Sequence, residues 1–394
     1  MVTQNYDVIV IGGGIVGAST AHSLTKQGER VLLLDQYTPG HKQGSSHGDG
    51  RVVRFNYTEA IYVEMAMKAY DAWDTLSEEA GTTLLLETGL LEYGPANHEA
   101  IRVTETILSQ YNIDYERLSV EQARERFPQY HFDEDSDVLY QPRGGVARAT
   151  PAVEALWRLI SANGGTTLSG QRVQSITAHS ELVTITLENS EQISAERAVL
   201  TTGGWTAKLA QQLGVEIPLE VTQEILAYFP PQADTTVNHH IGAMPVMIDY
   251  YTVEGRDEPF YSLPIVDIAG VKMGWHHSGI VIDADDARQV VEPIVAEIKR
   301  WCERRYPHLQ TETIDIQTCL YTNTPDYHFV LDTHPQYPNV VIGAGFSGHG
   351  FKFGPLLGEV LASLSRGETP SIALDTFKLA RFANPETLDK RLGA

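Results

Sequence analysis

Residues 6–35 read YDVIVIGGGIVGASTAHSLTKQGERVLLLD, and this stretch decides the fold. Tyr6 to Ile11 is a short apolar run bounded by glycine, the mark of a buried strand. Ile15 to Gln27 is small, apolar and long enough for a helix, and it stops at Gly28. Arg30 to Leu34 is a second apolar run, closing on Asp35. Continuous apolar character in both runs predicts parallel strands covered on both faces.

The turn between strand and helix, Gly12-Gly13-Gly14-Ile15-Val16-Gly17, matches G-x-G-x-x-G. The pattern gains its weight from its place after a strand and before a helix, with a second strand ending in an acid. Gly12 permits the tight turn, Gly14 lets the backbone approach a pyrophosphate, and Gly17 lets helix pack closely on strand. The helix start at Ile15 and Val16 offers unpaired N–H groups and a positive dipole end to phosphates. Asp35 is placed to accept from ribose hydroxyls. The motif alone does not separate FAD from NAD. A second glycine-rich loop, GAGFSGHGFKFGP at 343–355, precedes another helix expected from Phe353 to Leu364. A flavin needs such a second support, because N–H groups at a helix start stabilise the negative charge that reduction brings.

Between these ends, PGHKQGSSHGDGRVVR (39–54) has too many breakers for a helix and too much cationic character for a core strand, so it reads as a closing loop. Helices are expected at Ala60 to Glu79, at Glu99 to Asn112 and after the glycine turn in Gln141 to Ile160. Val221 to Cys319 reads as many short strands with one helix near Glu292 to Arg305. The fold class is therefore α/β, with a dinucleotide-binding domain assembled from 1–85, 145–220 and 318–394. A mostly β substrate domain, 86–144 and 221–317, is inserted into it. At roughly 100–200 residues per domain, the 394 residues fit two domains.

The formal charge is −22, which repels phosphate backbones and anionic lipid, so nucleic acid and membrane are poor partners. Only two cysteines, Cys302 and Cys319, are present. That argues against a secreted disulfide scaffold and for a reducing cytoplasm. The amino terminus lacks a secretory pattern, and no apolar run approaches the ~18–20 residues of a membrane span. The histidine pairs at 239–240 and 276–277 lack partners at metal-ligand spacing, so no metal is expected.

Five blocks carry a resemblance: GGGIVG (12–17), SSHGDGRVVR (45–54), KMGWHH (272–277), CLYTNTPDYHFVLDTHP (319–335) and GFSGHGFKF (345–353). In this order they resemble the monomeric sarcosine oxidase and N-methyltryptophan oxidase family. The resemblance implies a glutathione-reductase-like FAD domain carrying an antiparallel-sheet substrate domain, in a monomer. It implies oxidation of a secondary amino acid to an imine, with O2 reduced to hydrogen peroxide.

By the same resemblance, Cys319 carries the flavin through an 8α-thioether. Arg54 and Lys352 hold the substrate carboxylate, a task that suits the planar fork of arginine, though a buried arginine also pairs with acids of its own chain. Lys272 stands on the other flavin face for oxygen activation. His276 lies near substrate, with His277 one residue away leaving the register open. Tyr261 and Tyr321 line the pocket, with Met247 as a further candidate, and His47 and Arg51 lie over the flavin. Gln36, Ser46, Val173, Gly345, Gly348, Gly350 and Lys352 join the cofactor contacts, and Cys302 is structural. The chain departs from the family at Ser46, where a histidine is usual, at Gly50, where threonine is usual, and in a longer Met247 to Pro264 segment. The last difference places sarcosine itself in doubt and makes a bulkier N-methyl amino acid, pipecolate or a glycated amino acid a candidate.

Overall fold

The computed structural model describes residues 6–253, 255, 258–383 and 388. The opening strand, Tyr6–Ile11, lies inside an eight-stranded sheet. Val31–Leu34 flanks it in parallel on one side and Gln192–Leu200 on the other. Thr166–Leu168 and Val340–Ala344 extend the parallel set. Val173–Ala178, Val183–Leu187 and Val330–Thr333 add antiparallel partners. The unbroken apolar runs are explained by burial on both faces. Val8, Val10, Leu33 and Val341 pack against the helices Ile15–Lys26, Ala149–Ala162 and Gly354–Ser365. Their neighbours Ile9, Ile11, Leu32 and Ile342 fill a second core on the opposite side.

Within 39–54 the loop reading needs a correction. Arg51–Val53 is a strand, paired with Gly145–Ala147, which also pairs with Leu85–Glu87 in a small three-stranded sheet. Three residues are too few to show a period of two, so the pattern was invisible among the breakers.

The second sheet has nine strands. Its long member, Glu220–Phe229, pairs antiparallel with both Asp315–Asn323 and Val271–Trp275. Phe260–Leu263, Val246–Asp249, Leu90–Pro95 and Ser136–Gln141 continue it. The boundary expected at 318 falls inside Asp315–Asn323, which is hydrogen-bonded throughout to this second sheet. Alternation then sorts the side chains. Tyr93, Met247, Phe260, Met273 and Phe229 face the helix Glu292–Arg305, where Trp301 and the buried Cys302 complete a core. The other face carries Glu92, Ile248, Tyr261, Gly274, Leu226 and Cys319, in register across the strands or two residues along them. Among the described residues, no helix is long and apolar enough to cross a membrane.

Candidate active site

The glycine turn is shaped by contacts that leave no room for side chains. Gly12 has φ +99°, and a Cβ there would stand 2.4 Å from the Thr201 carbonyl oxygen. A Cβ on Gly17 would stand 1.8 Å from the Gly12 oxygen, so this helix packs on its strand only through glycine. Trp157 Nε1 donates to the Gly13 carbonyl at 2.9 Å and Thr201 Oγ1 to that of Gly12 at 3.0 Å, which fixes the turn from two other elements. Asp35 accepts from the Gly13 and Tyr37 amides at 2.7 and 2.8 Å. Ser46 accepts from the Ile15 amide at 3.1 Å, so the N–H expected to be unpaired at the start of the first helix is taken within the chain.

A cavity of about 350 Å³ joins the distant motifs. Gly12, Gly14, Ile15, Val16, Asp35 and Gln36 line it, and so do Ser46, Val173, Gly348 and Gly350. Cys319, Tyr321 and Arg51 stand on the same wall. The second glycine loop needs its glycines for packing: a Cβ at Gly348 (φ +75°) would meet the Tyr321 ring at 2.3 Å. Gly345 and Gly17 are not on the cavity wall. Gly345 packs instead against Thr324, whose Cγ2 a Cβ would meet at 2.4 Å.

The thiol of Cys319 is buried, and burial raises its pKa above the ordinary range. Arg51 and Lys272 pull it down, and Glu224, its cross-strand partner, pushes it up. The free cysteine therefore rests as a thiol. Lys272 is buried too. Desolvation first, then Arg51, lowers it to about 7, while Asp49 and Cys319 oppose the shift. Its Nζ donates to the Gly50 carbonyl at 2.7 Å, and Arg51 Nη1 donates to the same oxygen at 3.0 Å. Gly50 has no room for a side chain, because Val146 and Leu263 fill the space: a Cβ would meet Val146 Cγ1 at 2.5 Å. His47 is pushed down to about 2 by burial, with Arg51 and Lys272 adding to it. Neither of its ring nitrogens has a hydrogen-bond partner among the described residues.

His276 Nδ1 lies 3.0 Å from the Tyr321 hydroxyl, and its ring meets Tyr261 edge-on at 6.5 Å. His277 has φ +50° and stacks on Tyr327 at 4.4 Å. His277 also meets the Tyr321 ring edge-on at 5.3 Å, so both histidines border Tyr321 and His276 adds the Tyr261 contact. Arg54 and Lys352 meet through Tyr57: Lys352 Nζ donates to the Tyr57 hydroxyl at 2.8 Å, and the Arg54 guanidinium sits 4.9 Å from the centre of that ring. Lys352 does not line the cavity, and its Nζ also donates to the His349 carbonyl at 3.0 Å. Burial works against the charge of Arg54, yet Tyr57, Tyr250 and Glu92 outweigh it and raise its pKa.

Met247 is a correction. It faces the helix side of its strand, beside Tyr306, and its neighbour Ile248 points toward Tyr261. Of the longer segment from Met247 to Pro264, residues 254, 256 and 257 lie outside the described residues. The segment contributes Tyr250 to the Arg54 cluster. Asn56, Glu92 and Tyr250 carry no local signal in the sequence: Asn56 follows Arg54 by two residues outside any strand, and strand pairing brings Tyr250 to Glu92.

The family described as FAD dependent oxidoreductase matches residues 7–364. The chain is similar to peroxisomal sarcosine oxidase of Mus musculus, 36% identical over 388 residues and 97% of each chain. It is also similar to monomeric sarcosine oxidase of Bacillus sp. strain NS-129, 33% identical over 97% of this chain and 98% of the relative. Among solved structures, NikD, described as an unusual amino acid oxidase essential for nikkomycin biosynthesis, aligns with a TM-score of 0.85. It is 24% identical and covers 95% of this chain and 98% of that one, a likeness of fold.

Proposed function

The chain belongs to the FAD dependent oxidoreductase family, and from that premise we propose an oxidase of N-methyl (secondary) amino acids whose FAD is tethered through a thioether from Cys319. The observation that carries the proposal is the single cavity lined by the glycine turn, Arg51 and Cys319. The residues fit the cofactor. Gly14 leaves the turn open except for the Ser46 hydroxyl, and the buried His47 nitrogens and Thr322 hydroxyl lack partners among the described residues.

When bound, FAD supplies the acceptor for two electrons from the substrate C–N bond and passes them to O2, giving an imine and hydrogen peroxide. Arg54 and Lys352 would hold the substrate carboxylate, one as a planar fork and one as a point charge. Their positive charge also lowers the pKa of the substrate amine, so that it binds neutral and no general base is required. Tyr261, Tyr321 and His276 would form the pocket wall. Lys272 would present a cation to oxygen as negative charge develops on it. The glycine turn would hold the pyrophosphate with the N–H groups of Gly14 and Val16, which line the cavity, and Asp35 would hold the ribose.

This reading assigns 1–85, 145–220 and 318–394 to FAD binding and 86–144 and 221–317 to substrate, with Asp315–Asn323 as the seam. It also makes the protein a monomer of the cytoplasm, in keeping with two free, buried thiols. The test is peroxide release with sarcosine, N-methyltryptophan and pipecolate. At least one should be turned over in air with stoichiometric peroxide. Substrate reduction of the flavin followed by slow reoxidation in air would instead identify a dehydrogenase.

A further inference from the structure

The sheet face that carries Tyr261, Lys272 and Cys319 also carries a carboxylate that the proposed reaction does not use. Glu92, on Leu90–Pro95, has no exposed surface. Its Oε2 accepts from Asn56 Nδ2 at 3.0 Å and its Oε1 from the Tyr250 hydroxyl at 3.2 Å. Arg54 Nη1 lies 3.5 Å from Oε1. That separation exceeds the roughly 2.7–2.9 Å of a tight charge-assisted bond. Glu92 thus shares the guanidinium without saturating it, and Arg54 keeps donors for a ligand. Asn56 Oδ1, buried and without a partner among the described residues, adds another acceptor on this side.

We infer that Glu92 is a specificity-determining residue, an internal counter-ion to Arg54 that restricts the site to amines bearing one carboxylate and no second anionic group. The inference rests on Arg54 as the carboxylate anchor. One incoming carboxylate finds the remaining donors of Arg54 together with Lys352. A second would stand beside Glu92, whose pKa burial pushes up while Arg54, Asn56 and Tyr250 hold it toward the charged form, and like charges repel strongly where water does not screen them. Acceptors on Glu92 and Asn56 tolerate neutral or donor-bearing groups and oppose anions.

The test titrates propionate and malonate against the visible flavin spectrum of the holoenzyme. The wild-type protein should bind propionate at least about tenfold more tightly than malonate. Glu92→Gln should tighten both and malonate more, so that the preference shrinks or inverts. Wild-type protein that binds malonate as tightly as propionate overturns the inference, whether or not the variant folds. A folded Glu92→Gln protein with an unchanged preference does the same. Arg54→Gln separates the two levels: if it leaves propionate binding intact, the anchor reading itself is wrong, whereas its loss beside an unchanged Glu92→Gln preference removes only the inference.

Discussion

On the proposed function, residues 12–17 would hold a ligand with backbone, and the face of the nine-stranded sheet would hold one with side chains. In the turn, Gly12, Gly13 and Gly17 are each required by a neighbour that a Cβ would strike, and Gly14 leaves its side open but for the Ser46 hydroxyl. On the sheet face, Cys319, Lys272, Tyr261 and Glu92 come from different strands and share a side only because the pairing register puts them there. Arg51 and Arg54 reach them from a separate short strand and the residue after it. A contiguous turn fails if its shape is lost. A face assembled by register tolerates local change and fails one function at a time.

The sharpest way to break this contrast is Gly17→Val. The new side chain would collide with the Gly12 carbonyl, so stability should fall by about 3 kcal/mol or more, with loss of bound FAD. Denaturant unfolding and flavin content per chain measure both. A stable, fully yellow variant would show that the turn is not closed by packing. Next, Arg54→Gln should keep its flavin but lose some stability, because it strips the buried Glu92 of its counter-ion, and should reduce kcat/KM by about a hundredfold or more.

Lys272→Met should slow reoxidation of the reduced protein by O2 about a hundredfold, with anaerobic reduction by substrate little changed. Because Lys272 sits at about 7, the wild-type oxygen step should weaken as pH rises through that value, and the variant should lack this dependence. Slowed anaerobic reduction would move Lys272 to the substrate side.

The contrast also governs what the sequence discloses. The turn, its helix and its two strands were readable because each lies within a few residues of the next and has a period. The elements of the second sheet were readable as short strands, yet their alignment was not. Met247 and Ile248 differ by one position, and the pleat sends them to opposite faces. Glu92 meets Tyr250 through a parallel pairing with Val246–Asp249, a strand more than a hundred residues away in the chain. Family blocks supplied Cys319, Lys272 and Lys352. They supplied nothing for Asn56, Glu92 or Tyr250, which lie outside every block.

The smallest expected effect belongs to Glu224→Gln. Burial raises this carboxyl from 4.5 to about 7, against hydrogen bonds from Thr222 and the Gly279 and Ser278 amides. The folded state therefore holds the proton more tightly than the unfolded one. Its contribution to stability is present at acid pH and is lost as pH rises from 4.5 toward about 7. Relative to the wild type, the variant should lose less stability across this window, by on the order of 2 kcal/mol. Parallel pH–stability curves from thermal unfolding would exclude that role.

The central claim is that the glycine turn and the Cys319 thiol grip one flavin, and acid denaturation tests it most directly. The account predicts that yellow colour stays with the precipitated wild-type polypeptide and is released into the supernatant from Cys319→Ser. Colour released from the wild type, or retained by the variant, would contradict it.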